Sequence, residues 1–171
     1  MYLYGASGHA KVIIDILEAN GITVDGVIDD NPKVTEIQGY SVKHEYNGQM
    51  PLLISIGANM VRARIVEKVG DVDFGKAIHP SAIVSEKCRI DEGTVVMQGC
   101  ILQSGVRVGE HCIINTGASI DHECELGDFV HVSPHCTLCG NVQVGEGSWV
   151  GAGSTVIPGV RIGEWSVVGA G

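Results

Sequence analysis

Three shortages narrow the possibilities before any motif is read. Basic residues are few: 11 Lys and Arg stand against 20 Asp and Glu, a formal net charge of −9 at pH 7. Nucleic-acid binding needs a basic patch, so no nucleic-acid partner is expected, although a locally basic pocket for a phosphorylated ligand is compatible with the balance. Long apolar runs are also missing. The most apolar segment, near Val12 to Leu17, is far short of the ~20 residues that span a bilayer, and no basic start leads into an apolar core. No membrane insertion is expected, and the chain reads as cytoplasmic. Finally, the first glycine turn is incomplete as a dinucleotide fingerprint, with only Gly5-x-x-Gly8 where G-x-G-x-x-G marks an NAD site, so NAD is disfavoured.

What is abundant is order at a period of six. Ile78, Val84, Ile90, Val96, Leu102, Val108, Ile114, Ile120, Leu126, Val132, Leu138, Val144, Val150, Val156, Ile162 and Val168 recur without exception. Six fits neither the 3.6 residues of a helix turn nor simple strand alternation; it denotes a short strand and a corner repeated many times, as in a hexapeptide β-helix. Four residues after each aliphatic comes a second row, small or β-branched, from Ala82 and Cys88 to Ser154, Val160 and Ser166. Because strand residues two apart share a face, this row also points inward, and the interior alternates large with small. Sixteen such units, three to a turn, make about five coils stacked ~4.8 Å apart.

The same register accounts for most of the six cysteines. Cys88, Cys100, Cys112, Cys124 and Cys136 all fall in the inward small row, where a thiol behaves as a small hydrophobe. His131-x3-His135 beside Cys136-x2-Cys139 imitates metal-ligand spacing, but Cys136 points inward and Cys139 sits at an outward corner, so one ion could not meet both and no metal is expected.

Ahead of the repeats, Met1–Tyr4, the turn Gly5-Ala-Ser-Gly8-His9 and a helical pattern over Ala10–Asn20 form half of a βαβ unit, with Asn20-Gly21 as its stop. Val24–Ile28 and Leu52–Ile56 supply two more strands, and Asn59 is a plausible N-cap for a helix reaching Val69. This predicts an α/β, Rossmann-like N-terminal domain over residues 1–77 and an all-β, left-handed parallel β-helix over 78–171. A final coil ending at Val168-Gly-Ala-Gly171 would leave strand edges unpaired, so the β-helix domain is expected to be C-terminally truncated. Free helix-start N–H groups suit phosphate, and Asp29 and Asp30 stand where an acid meets a ribose, which raises nucleotide binding above a mere tight turn.

Chemistry is expected at the outward corners. His122 lies two residues after an inward aliphatic, with Glu123 adjacent, and Gly140 falls eighteen residues later, one coil on. Tyr4-Gly-Ala-Ser-Gly-His9 followed by a hexapeptide β-helix, Ile120-Asp-His-Glu-Cys124, His131-Val-Ser133 and Gly140-Asn-Val142 resembles the sialic acid O-acetyltransferase (NeuD)/PglD-type sugar O-/N-acetyltransferase family, within the hexapeptide-repeat acyltransferases. The resemblance implies transfer of acetyl from acetyl-CoA to the 4-amino group of a UDP-linked 4-amino-4,6-dideoxy sugar, by a homotrimer with active sites between subunits. It implies His122 as general base, Glu123 as its orienting carboxylate and the Gly140 N–H as oxyanion donor. Asn115 and His131, together with Gly140, would contact acetyl-CoA, and Ser7, Gly8, His9, Asp29, Asp30 and Gly57 would surround the UDP-sugar. His44, His79, His111 and His135 read as surface or turn residues. Three rivals stand beside this reading: acetylation of a sugar hydroxyl, as on sialic acid; a non-catalytic sugar-nucleotide-binding trimeric scaffold; and a zinc carbonic anhydrase, which the histidine spacings disfavour.

Overall fold

The computed structural model describes all 171 residues. Residues 1–69 form a small α/β unit of β1 (Tyr2–Tyr4), α1 (Gly8–Ala19), β2 (Gly26–Ile28), β3 (Glu36–Ile37), β4 (Tyr40–Lys43), β5 (Leu52–Ile54) and α2 (Asn59–Val69). The sheet order is β3-β4-β2-β1-β5, parallel except for the β3–β4 pair. That hairpin lies in a stretch with no readable alternation; its pairing with β2 replaces the missing pattern. Strand alternation splits the sheet's side chains between two helices. Leu3, Val27 and Leu53 share a core with Ile13, Ile16 and Leu17 of α1, whereas Tyr4, Ile28 and Ile54 meet Ile65, Val66 and Val69 of α2.

From Ala77 onward the chain winds a left-handed parallel β-helix of sixteen two-residue strands, β6 (Ala77–Ile78) to β21 (Val167–Val168). They stack as three faces. The first face carries Val95–Val96, Ile113–Ile114, His131–Val132, Trp149–Val150 and β21 above β6; the second starts at Ile83–Val84 and the third at Arg89–Ile90. Each strand from β6 to β18 pairs with the one eighteen residues on, as Ile101 with Ser119 and Arg107 with Glu125. Strand N–H groups donate to the next coil, as Ile83 to the Cys100 carbonyl at 2.8 Å and Val95 to that of Cys112 at 2.9 Å.

The small inward row does more than fill space. Cys100 Sγ donates to the Asn115 carbonyl at 3.1 Å, Cys112 to that of Gly127 at 3.1 Å, Cys136 to that of Gly151 at 3.0 Å, and Thr94 and Ser154 hydroxyls make the equivalent bonds at 2.8 Å. Each gives a corner carbonyl a partner, which explains why Cys, Ser and Thr share this row with Val and Ala. Burial pushes the Cys112 thiol up to about 12, so it stays protonated and unreactive. Cys88, in the first coil, is only half-buried.

Corners obey a second rule. The third residue after each inward aliphatic from Ile90 to Ile162 has positive φ. Most are glycine, but His111 (φ 53°), Glu123 (58°), Phe129 (59°), His135 (56°), Asn141 (58°) and Trp165 (50°) are not. A non-glycine residue there costs about 1–2 kcal/mol and is held by its surroundings.

His111 shows what holds one of them, and corrects its reading as a surface residue. It is 1% exposed, stacked on Phe129 at 5.2 Å between ring centroids and edge-on to Phe74 at 4.5 Å, with no hydrogen-bond partner for Nδ1. Burial, reinforced by the nearby Arg62 guanidinium, lowers its pKa to about 4, with Asp128 opposing. The folded chain keeps His111 neutral at pH values where the unfolded chain would protonate it, near 6.5. Unfolding therefore takes up a proton between pH 6.5 and 4. The resulting stability is complete above pH 6.5 and falls as pH drops through that window, by about 1.4 kcal/mol per pH unit per histidine. Denaturant unfolding across pH 4.5–6 should show this slope, reduced by about one proton in His111→Asn, since Asn tolerates positive φ. An unchanged slope would contradict the buried neutral imidazole.

Candidate active site

His122 occupies the corner that leads from the second face, after Ser119–Ile120, to the third, before Glu125–Leu126. Asp121 Oδ1 accepts its backbone N–H at 2.8 Å, and its carbonyl accepts the Asn141 N–H of the next coil at 3.0 Å. The imidazole lies against Gly140: a Cβ there would stand 2.5 Å from His122 Nε2 and 2.6 Å from Cε1. Glu123 Oε2 lies 3.4 Å from His122 Nδ1, a long contact that leaves Nε2 facing Gly140. Among the chain's own hydrogen bonds none uses the Gly140 N–H. An imidazole, a carboxylate near its far nitrogen and a backbone N–H unused within the chain thus come together, the first two exposed and Gly140 buried.

Asn115 and His131 also meet, but elsewhere. Asn115 follows Ile113–Ile114 at the first-to-second corner, and His131 projects from the first face one coil on. Asn115 Oδ1 accepts the Thr116 N–H at 2.8 Å, so its Nδ2 faces His131 Nε2 at 3.1 Å. That nitrogen accepts, leaving the proton on Nδ1. Burial, then Arg62 and His9, holds the His131 pKa down to about 4, with the Gly57 backbone pulling the other way. His9 is lowered likewise to about 4 by burial and Arg62, and its Nε2 has no partner. Gly57, His131, Trp149, Trp165 and Val167 line a cleft of about 510 Å³.

The remaining substrate candidates cluster at the sheet's C-terminal edge. Ser7 is the N-cap residue of α1 without a side-chain cap bond, and Gly8 is the helix's first residue; both are exposed. Gly5 is required by space, because a Cβ there would lie 2.6 Å from Ile56 Cγ1. Both acids are partly committed within the sheet. Asp29 accepts the Ala6 N–H at 2.7 Å and the Asn31 N–H at 2.8 Å. Asp30 accepts the Tyr4 hydroxyl at 2.7 Å and pairs with Lys68 at 2.9 Å, and those bonds lower its pKa.

Asn59 differs from its expected role. It opens α2 without capping it, and its Nδ2 instead donates to the Gly147 and Ser148 carbonyls at 3.0 and 3.2 Å. Sequence reading missed Arg62 altogether, a polar residue on a weakly amphipathic helix that is 1% exposed. Cys136 is buried and Cys139 is not, and no three His, Cys, Asp or Glu side chains converge as a metal site requires. No helix is long and apolar enough to cross a membrane.

The whole architecture has solved counterparts. A histidine-to-asparagine variant of perosamine N-acetyltransferase from Caulobacter crescentus, in complex with CoA and GDP-perosamine, is 39% identical and superimposes with a TM-score of 0.94 over 99% of this chain and 85% of that one. The chain belongs to the PglD-type sugar acetyltransferases. Residues 1–69 match the PglD N-terminal domain and residues 141–171 the bacterial transferase hexapeptide repeats. The acetyltransferase domain of PglB from Neisseria gonorrhoeae FA1090, in complex with acetyl coenzyme A, is 31% identical with a TM-score of 0.89 over 99% of this chain and 87% of that one. UDP-N-acetylbacillosamine N-acetyltransferase from Bacillus subtilis (strain 168) is 43% identical over 109 residues, 54% of this chain. The chain spans 49% of that relative, and 20% of an uncharacterized protein of Acanthamoeba polyphaga mimivirus that it matches at 34% identity over 98 residues, 54% of this chain.

Gly140→Ala tests the packing at the PglD-type edge directly. The added methyl needs no unusual backbone, since Gly140 is not at positive φ, but it must displace the His122 ring. The variant should fold with the wild-type circular dichroism spectrum while the His122 imidazole resonances move in NMR. Unmoved resonances would show that the ring does not rest on Gly140.

Proposed function

We propose that the chain transfers acetyl from acetyl-CoA to the 4-amino group of a UDP-linked 4-amino-4,6-dideoxy sugar. The observation that carries this reading is the His122–Gly140 contact, where an imidazole packs on a glycine whose N–H makes no bond within the chain. The sugar amine attacks the thioester carbon, and His122 Nε2 takes the proton the nitrogen must lose, a contribution of roughly 10²–10⁴-fold. Glu123 at Nδ1 holds the tautomer that leaves Nε2 basic. The Gly140 N–H stabilises the oxyanion, a donor worth about 3–4 kcal/mol. As the tetrahedral species collapses, the C–S bond breaks and the imidazolium returns its proton to the CoA sulfur. The buried thiols take no part.

The sugar nucleotide lies on the N-terminal unit, residues 1–77, with Ser7, Gly8 and His9 at the helix start and Asp29, Asp30 and Gly57 at the strand ends. Asn115 and His131 contact acetyl-CoA on the β-helix, residues 78–171, where the first-face cleft of His131, Trp149, Gly151 and Val167 suits an extended thiol arm. The UDP assignment follows the Bacillus subtilis relative, 43% identical over 109 residues, and the GDP-perosamine enzyme, 39% identical over 99% of this chain, supports the broader reading of a nucleotide-linked amino sugar. We place the enzyme in the cytoplasm with its co-substrate.

One copy does not complete this site. His122 lies at one end of the second face and Asn115 at the other. Between them the outward residues Ile83, Ile101, Ser119, Thr137 and Thr155 carry no charge, whereas the third face presents Arg89, Arg107, Glu125, Gln143 and Arg161. A head-to-tail contact through the second face would set one copy's His122 beside its partner's Asn115 and His131, and closure of that contact is a homotrimer.

Mass spectrometry of products from acetyl-CoA with a panel of UDP-linked 4-amino sugars and sialic acids tests the reaction. An N-acetylated UDP-sugar is expected, and His122→Ala should lose at least about 10²-fold in kcat while still binding the sugar nucleotide. Product acetylated only on oxygen, or no product, would overturn the N-acetyl reading; activity within a few fold in His122→Ala would overturn the base.

A further inference from the structure

Arg62 is the most buried charge in the chain, and no carboxylate touches it. All five guanidinium N–H donors are nevertheless used. Nε donates to the His111 carbonyl at 2.7 Å; Nη1 donates to the carbonyls of Ile56 at 3.0 Å and Gly57 at 3.2 Å; Nη2 donates to Asn59 Oδ1 at 3.0 Å and the Phe129 carbonyl at 2.8 Å. His111 and Phe129 are the same corner on successive coils, and Gly147, the next in that column, accepts from Asn59. Asn59 and Arg62, one helical turn apart on α2, therefore grip three consecutive corner carbonyls of the β-helix. From the same guanidinium, two bonds run back to Ile56 and Gly57, the loop that closes over His131.

We propose that Arg62 is a positioning residue that locks the Ile56–Gly57 loop to the β-helix and so fixes the sugar nucleotide against the transferase edge. The proposal rests on the substrate placement given above for the loop. The chemistry requires arginine: lysine has three donors from a single nitrogen and cannot span carbonyls on two sides, and a methionine of similar length has none. The loop and column carbonyls would then each lose a partner, while the coil-to-coil ladder, which Arg62 does not enter, would be unaffected.

Arg62→Lys, with Asn59→Ala as a milder variant, tests this in the full-length chain by two independent readouts. Hydrogen exchange should accelerate at least tenfold for the backbone amide of residue 62, whose bond to the Ala58 carbonyl at 2.9 Å ties the loop to α2, and remain unchanged for the strands between Val95 and Val150. With acetyl-CoA and a UDP-linked 4-amino-4,6-dideoxy sugar, kcat/KM for the sugar should fall at least tenfold while KM for acetyl-CoA stays within twofold. Unchanged exchange at that amide, or equal losses for both substrates, would overturn the positioning role. Should wild-type protein acetylate no such sugar, the proposed reaction fails, and the exchange measurement still decides whether Arg62 locks the loop.

Discussion

Everything in this molecule depends on the eighteen-residue register between coils. Parallel strands of only two residues have little pairing strength of their own, so the stack is stable because each coil repeats the last, large aliphatic over large and small polar donor over corner carbonyl. A shift of one residue would turn every inward side chain outward. The same register makes chemistry possible at the surface. It brings His122 under Gly140 and His131 onto Asn115, pairs separated by about one coil and brought together with no loop to order. Two-residue corners leave little room for adjustment, which suits a site whose groups must be placed before substrate arrives.

A sequence with so strict a period reveals its fold almost completely. The sixteen aliphatic positions define sixteen strands, and the inward small row gives the burial of Cys100, Cys112, Cys124 and Cys136. The His122–Gly140 stacking was legible too, because counting by eighteen measures distance along the axis. Legibility fails where contacts leave the period. The β3–β4 hairpin has no alternation to read, and its strands exist because β2 offers an edge. Asn59 had the chemistry of a cap and became a tether, because its Oδ1 accepts from Arg62 Nη2 while its Nδ2 donates to the β-helix. Arg62 and His111 were invisible for one reason: their burial is produced by the docking of two units, and no local pattern in either one records it.

That docking surface is unusual in its polarity. Beside the apolar contacts that continue the core from the α/β unit into the first coils, it carries a guanidinium, neutral imidazoles and main-chain carbonyls. Arg62 has its pKa lowered to about 10 by burial, a cost offset by five hydrogen bonds to oxygen. Burial, with the nearby positive charge adding to it, keeps His9, His111 and His131 neutral. Such a junction specifies one arrangement, since a displaced unit would leave five buried donors and their acceptors without partners, at about 1–3 kcal/mol for each neutral group. An apolar seam would bind as strongly and discriminate less between registers. For a transferase that must hold two substrates in line, a fixed angle between the units matters more than added stability.

The central claim is that a working site takes His122 from one subunit and His131 from its neighbour. Co-expression of His122→Ala and His131→Ala chains, each nearly inactive alone, tests this most directly. Random mixing in a trimer should restore about a quarter of wild-type turnover, because that fraction of sites draws both intact histidines from different chains. Co-assembled trimers with no more activity than either variant alone would contradict the shared site and place both histidines' function within one chain.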